Sequence, residues 1–135
     1  MSKARAIVAG HADFASGVVS AVVQITGRDD VFVALSSRGM SAQDVERTLR
    51  ELASAGGIQV IFTDLPAGSC TMAARRLQRE RPDLAMVTGT NLATLLDFVY
   101  SDELEPVDAA RQAVEMGRAA LMLTGGGPVG GTRAS

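Results

Sequence analysis

The chain has 135 residues, of which 47% are hydrophobic and 21% charged, a balance typical of one compact folded domain. Its net charge of −2 gives no basic surface for nucleic acid, and its one cysteine, Cys70, excludes a disulfide framework or a cysteine-based metal site within this chain. No apolar run reaches the roughly 20 residues of a membrane span. The apolar stretch near the N-terminus is too short for a signal peptide, so we expect a cytoplasmic protein.

Apolar bursts alternate with helical patterns along the chain. The bursts predict strands at residues 6–9, 31–35, 58–62 and 85–87. Helical spacing between cap residues predicts helices at 14–25, from a Ser41 cap to Gly56, from a Ser69 cap to about Arg81, at 91–100, and from Pro106 to about Met116. Residues 119–123 are predicted either to extend the last helix or to form a final strand.

Strands separated by helices of this length indicate βαβ units and a parallel sheet. The predicted fold class is therefore α/β, an open three-layer sandwich with a mainly parallel central sheet and helices on both faces. Residues 1–123 form the predicted domain. Residues 124–135 are Gly-rich and are interpreted as a flexible tail or the start of a linker.

The loops that follow three of the strands carry the chemically interesting residues. His11, the only histidine, follows the first strand, Asp64 and the Gly68-Ser69 turn follow the third, and Asn91 follows the fourth. The carboxyl ends of parallel strands meet at one edge of a sheet, where ligands bind. A carboxylate beside an imidazole fixes its tautomer, and a Gly-Ser helix start can bind an anionic oxygen group. Together these residues point to phosphoryl transfer through a phosphohistidine.

Each of these residues also has an ordinary structural interpretation. A histidine at a strand end can serve packing or hydrogen bonding, and an aspartate in a turn commonly caps it. Cys70 at a helix start is interpreted as an inert small residue. A nucleotide site and a serine nucleophile are unsupported because the chain has neither a phosphate-binding GxxxxGK[ST] loop nor a GxSxG elbow.

Three segments resemble the IIA domain of the mannose type in the bacterial sugar phosphotransferase system. They are AIVAGH at 6–11, VIFTDLPAGSCTMAARRL at 60–77 and MVTGTNLATLLDFV at 86–99, and the resemblance extends over nearly the whole domain. It implies that His11 is the phosphorylated residue, through its Nε2 atom, and that Asp64 is its carboxylate partner. It also implies that Gly68 and Ser69 bind the phosphoryl group, with Thr63 and Asn91 in supporting loops.

The resemblance implies a phosphocarrier that takes a phosphoryl group from HPr and passes it to a IIB component, with IIC and IID membrane components in the complex. The protein would be cytoplasmic, associated peripherally with the transporter, and a homodimer that exchanges a C-terminal strand. No cofactor, metal or nucleic acid is implied. Because HPr presents a basic surface in this system, Asp13 beside His11 is predicted to lie on the partner surface.

The chain departs from the family pattern at several loop positions. Ala12 and Ala67 stand where the family has glycine, Cys70 replaces proline, Met72 replaces asparagine, and Ala93-Thr94 replaces Pro-Met. Ala67 therefore requires a backbone conformation that an L-residue tolerates. Two alternatives stay open: the phosphotransfer subunit of a dihydroxyacetone kinase, and a degenerate IIA-like module without catalytic activity.

Overall fold

The computed structural model describes residues 4–128 and 130, and these form four strands and five helices. In chain order the elements are β1 (Ala6–Gly10), α1 (Phe14–Thr26), β2 (Phe32–Ser36), α2 (Ala42–Gly56), β3 (Val60–Thr63), α3 (Ser69–Glu80), β4 (Ala85–Val87), α4 (Leu92–Tyr100) and α5 (Pro106–Ala120). The predicted alternation of strands and helices is confirmed, and most predicted bounds lie within two residues of those observed.

The strands form one parallel sheet in the order β2-β1-β3-β4. Gly10 at the end of β1 is in register with Ser36 at the end of β2, and Ala9 with Thr63 at the end of β3. Because these strands end side by side, the loops that follow them begin at the same edge of the sheet.

The sheet separates two hydrophobic cores, as the predicted three-layer sandwich requires. On one face α1, α4 and α5 pack over a cluster that includes the rings of Phe32, Phe62 and Phe98, whose centroids lie 5.1 to 5.9 Å apart. On the other face α2 and α3 pack over Ile7 and Ile61. Side chains alternate across a strand, so β1 supplies both cores and is buried throughout.

The start of α3 differs from the prediction. Ser69 is the first helical residue, and Gly68 occupies the cap position with φ +129° and without a side-chain hydrogen bond. Only glycine adopts that backbone conformation readily, so the chain can enter the helix there without a serine cap. At the other end the helix finishes at Glu80.

Residues 119–123 were predicted either to extend the last helix or to form a strand, and the structure shows which residues do so. Helix α5 extends to Ala120, so Ala119 and Ala120 are helical, and residues 121–128 form neither helix nor strand. The side chains of Leu121, Met122 and Leu123 are 84%, 76% and 92% exposed. The predicted tail at 124–135 lies partly outside the described residues. Within the described part of the chain, no helix is long and apolar enough to cross a membrane.

Candidate functional site

His11 and Asp64 form a two-point contact at the carboxyl edge of the sheet. The backbone N–H of His11 donates to Oδ2 of Asp64 at 2.9 Å, and Nδ1 of the ring lies 2.8 Å from the same oxygen. The His11 side chain is 50% exposed and that of Asp64 only 11%. A buried carboxylate therefore holds one ring nitrogen of an accessible imidazole and leaves Nε2 free of this contact.

The ionisation of Asp64 agrees with this geometry. Partial burial by itself would raise the pKa of the carboxyl group, but the hydrogen bonds from the backbone and ring of His11 outweigh it, and the pKa is lowered from its ordinary value. An ionised Asp64 is an acceptor only, so the proton in the contact belongs to Nδ1 of His11.

Two glycines leave room for this pair. A Cβ atom on Gly10 would lie 2.9 Å from Oδ2 of Asp64 and 2.8 Å from the ring of Phe14. A Cβ atom on Gly68 would lie 3.0 Å from Cε1 and 3.7 Å from Nε2 of His11. The histidine ring therefore lies against the backbone at the start of α3, with Nε2 on that side.

The first turn of α3 is open to a ligand, because no side chain among the described residues caps it. Gly68 supplies no side-chain cap, so the first N–H groups of the helix are available as donors next to Ser69. Cys70 follows and is fully buried, within hydrogen-bonding reach of Ser37 and Ser69. Burial, and to a smaller extent the charge of Asp64, raise the pKa of the Cys70 thiol, so it stays neutral.

Thr63 is connected to the loop that carries Asp64 by buried hydrogen bonds. Its fully buried hydroxyl lies 2.7 Å from that of Thr71, and the Thr71 hydroxyl donates to the carbonyl of Leu65 at 2.5 Å. This chain of hydrogen bonds ties the end of β3 to the first turn of α3. Thr71 was missed in the sequence, where nothing distinguishes it from an ordinary helical threonine.

Asn91 caps α4 and joins two helices. Its side-chain oxygen accepts from the N–H of Thr94 at 2.9 Å and from the hydroxyl of Thr94 at 2.7 Å, and its amide donates to the carbonyl of Gly117 in α5 at 3.0 Å. These bonds engage Asn91 in the packing of α4 on α5. These hydrogen bonds explain the presence of an asparagine at position 91 without any hydrogen bond to His11.

Asp13 stands at the start of α1, 80% exposed, and forms an ion pair of 3.3 Å with Arg38 in the loop after β2. Ser36 at the end of β2 and Ser37 just after it also form hydrogen bonds to the His11 segment. Both were missed in the sequence, although the end of β2 belongs to the same edge of the sheet as the ends of β1 and β3.

The loop substitutions have different backbone consequences. Ala67 has no positive φ, as the sequence required, whereas Ala12 has φ +47° and is the only non-glycine residue of the described ranges with a positive φ. Within those ranges, no group of three or more histidine, cysteine, aspartate or glutamate side chains is placed to hold a metal ion.

At the carboxyl edge of this parallel α/β sandwich, a histidine-carboxylate pair lies beside a helix start without a side-chain cap. Comparison with known proteins assigns the chain to a family. The family model described as the PTS system fructose IIA component matches residues 5–115. The chain therefore belongs to the mannose-type IIA components of the sugar phosphotransferase system (PTS).

Solved structures share the fold at low sequence identity. A phosphotransferase system component EIIA from Streptococcus agalactiae superposes with a TM-score of 0.77 at 23% identity, over 90% of this chain and 96% of its own. A mannose/sorbose-specific IIA subunit from Enterococcus faecalis gives 0.77 at 20%, over 94% and 98%. A PTS IIA protein associated with the fucose utilization operon of Streptococcus pneumoniae gives 0.72 at 20%, over 91% and 96%. No curated protein matches the chain by sequence.

Proposed function

We propose that the protein is a phosphohistidine carrier that accepts a phosphoryl group from phospho-HPr on His11 and passes it to a cognate IIB component for sugar uptake and phosphorylation. The observation that carries the proposal is the 2.8 Å contact between Nδ1 of His11 and Oδ2 of Asp64. It keeps the ring proton on Nδ1 and leaves the Nε2 lone pair available on a half-exposed ring.

The transfer follows from that tautomer. The Nε2 lone pair attacks the phosphorus carried by HPr, so that a new N–P bond forms as the bond to the donor nitrogen breaks. The proton stays on Nδ1, and Asp64 stabilises the positive charge that develops on the ring. Transfer onward reverses these steps with the acceptor in the place of the donor.

The start of α3 would bind the phosphoryl oxygens. Gly68 lies against the Nε2 side of the ring, and Ser69 is the first residue of the helix. Free N–H groups and the positive end of a helix dipole favour an anion at this position. Gly68 and Ser69 are therefore the proposed phosphate-binding residues, with the hydroxyl of Ser69 as an additional donor.

The matched family and the solved relatives are IIA components, which favours this function over the kinase subunit and the inactive module. The names of the relatives refer to different sugars, mannose and sorbose in one case and fucose utilization in another, so they support no particular sugar for this chain.

The proposed assembly is a homodimer that works in the cytoplasm beside the IIC and IID membrane components. Among the described residues, strand β4 has β3 as its one neighbour in the sheet, and the residues that follow α5 expose three large apolar side chains. An unpaired sheet edge and an exposed apolar segment support pairing between two copies of the chain.

Incubation with phosphoenolpyruvate, enzyme I and HPr tests the carrier function. We expect one acid-labile phosphate per chain, detected by intact-mass spectrometry at alkaline pH, and none on the His11→Ala variant. Addition of a cognate IIB protein should then remove the phosphate. A wild-type protein that stays unphosphorylated under conditions that phosphorylate another IIA component would contradict the proposal.

A further inference from the structure

Ala12, the residue after His11, has a backbone conformation that L-residues avoid. Its φ of +47° lies in the left-handed region, where the Cβ atom crowds the following carbonyl oxygen. A residue keeps such a conformation only where its surroundings hold it there. Because Ala12 is bonded directly to His11, whatever holds Ala12 also affects the placement of the imidazole.

Ser36 makes the contact that holds Ala12. It is the last residue of β2, and its hydroxyl donates to the carbonyl of Ala12 at 2.7 Å. The same oxygen accepts the backbone N–H of Arg38 at 3.1 Å, which fixes the direction in which the hydroxyl donates. The acceptor is the carbonyl of the strained residue itself, so rotation of Ala12 out of the left-handed region would break this hydrogen bond.

The residue before His11 is held by the same segment. The backbone N–H of Ser37 donates to the carbonyl of Gly10 at 3.1 Å. The backbone on both sides of His11 is thus bonded to residues 36 and 37, while the N–H and ring of His11 bond to Asp64. The carbonyl of His11 accepts from the N–H of Phe14 at 2.9 Å and so belongs to the same rigid turn.

We propose that Ser36 is a positioning residue for His11: by holding the Ala12 carbonyl it keeps Ala12 in the left-handed conformation and the imidazole between Asp64 and Gly68. The hydrogen bonds of the Ser36 hydroxyl join it to Ala12 and Arg38 and not to the ring, so Ser36 acts through Ala12. The effect of Ser36 on phosphoryl transfer rests on the proposed function, whereas its effect on the His11 ring does not.

The first test measures the ring itself. His11 is the only histidine, so its two ring nitrogens give unambiguous ¹⁵N signals in protein labelled at histidine. In the wild-type protein at alkaline pH we expect the tautomer protonated on Nδ1. Ser36→Ala should give the signals of a mixture of both tautomers. Ser36→Thr keeps the hydroxyl and should give the same signals as the wild-type protein.

Ser20→Ala is the matched control. The hydroxyl of Ser20 also donates to a backbone carbonyl at 2.7 Å, that of Gly17, but within α1 and without contact to the His11 loop. It should leave the tautomer unchanged. Identical histidine signals in wild type and Ser36→Ala would overturn the proposal, whether or not the protein can be phosphorylated.

The second test uses the strain at Ala12. Glycine adopts positive φ freely, so Ala12→Gly should make the loop depend less on Ser36. We expect Ser36→Ala to slow phosphorylation by phospho-HPr about tenfold with Ala12 present but only about twofold in the Ala12→Gly background. The same slowing in both backgrounds would show that Ser36 does not act through Ala12 and would overturn the proposal.

Discussion

Asp64 is the residue on which the orientation of His11 most directly depends. Asp64→Asn keeps the size of the side chain, but an amide can present its NH₂ group to Nδ1 and favour the opposite tautomer. Phosphorylation by phospho-HPr should then slow by about 100-fold or more, by analogy with other carboxylate-histidine pairs. Quench-flow measurement of phosphoprotein formation gives the rate. An equal rate for both proteins would show that the carboxylate does not control the tautomer.

The lowered pKa of Asp64 predicts how stability depends on pH. A carboxyl group whose pKa is lower in the folded state stabilises the protein above its unfolded pKa of about 3.9, and that stabilisation is lost as the pH falls through the folded value. The difference in unfolding free energy between wild type and Asp64→Asn should therefore shrink in acid, as the pH falls through the folded pKa of Asp64. Urea unfolding across this range measures it. His11→Ala lacks the ring donor, so in that background the effect of Asp64→Asn on the unfolding free energy should begin to decrease at a higher pH. An effect of Asp64→Asn that does not vary with pH would contradict the prediction.

Gly68 combines two requirements that can be separated by mutation. Gly68→Ala introduces both a strained φ of +129° and a Cβ atom 3.0 Å from Cε1 of His11. Gly27→Ala introduces strain alone, since Gly27 has φ +74° and nothing within 4 Å of the added atom. Both variants should lose about 1 kcal/mol or more of unfolding free energy, but only Gly68→Ala should displace the histidine NMR signals and slow phosphorylation. Equal phosphorylation rates in the two variants would argue against a close approach of Gly68 to the ring.

Asp13 remains the predicted contact for a basic partner surface. Asp13→Asn should slow association with phospho-HPr and reduce the dependence of the rate on salt, because a charge of complementary sign is removed. Glu103→Gln, the control, makes the same change of charge at an exposed residue. Glu103 adjoins Leu104, whose carbonyl accepts a hydrogen bond from Arg5 near the amino end of β1. Stopped-flow rates at several salt concentrations compare the two. If both variants show the same salt dependence, Asp13 has no special role.

At the scale of elements, local signals predicted helix ends well where a cap is made by adjacent residues. Ser41 and Asp44 form a complete capping box at the start of α2, and Gly27 and Gly57 end α1 and α2 in the left-handed conformation. Ser69 was wrongly predicted as a cap, because Gly68 takes the cap position with φ +129°. The space beside Gly68 is occupied by His11, more than fifty positions away in the chain. Ser36 was missed for a similar reason, since its partner Ala12 lies in the loop after a different strand, β1.

The cap of α2 offers a test that does not involve the site. Ser41→Ala removes the acceptor of the Asp44 N–H, a bond of 3.1 Å, and should lower the unfolding free energy by about 1 kcal/mol. Ser54→Ala, at an exposed position inside the same helix, should have little effect or stabilise slightly. Thermal or urea unfolding compares them, and phosphorylation should be unchanged in both. Equal stability of the two variants would mean that the capping box contributes nothing measurable.

At the scale of the whole molecule, the parallel arrangement of the strands followed from the alternation of apolar runs with helices, because βαβ units connect parallel strands. The order of the strands in the sheet was not predicted. The juxtaposition of His11 and Asp64 followed from the same rule, since both come after neighbouring strands of that sheet. The fate of residues 119–123 could not be predicted in the same way. An apolar segment of that length satisfies a helix end or a strand equally, and contacts outside the segment decide between them.

A truncation tests whether those residues join two copies. A chain ending at Ala120 should be a monomer if residues 121–123 pair with a second copy, whereas a chain ending at Thr124 should keep the dimer. Analytical ultracentrifugation at several concentrations distinguishes the two states. A dimer that survives the shorter truncation, or a wild-type protein that is already a monomer, would contradict the proposed exchange.

The buried thiol of Cys70 can be used to measure slow local unfolding beside the site. Cys70 is the only sulfhydryl, fully buried in the first turn of α3, and the raised pKa of its thiol makes it still less reactive in the closed state. A thiol reagent can therefore reach it only when that turn opens, so the labelling rate measures the free energy of local opening at the proposed phosphate-binding position. A phosphoryl group bound to the same turn should protect Cys70 from the reagent, and the degree of protection would measure the affinity of the helix start for its ligand.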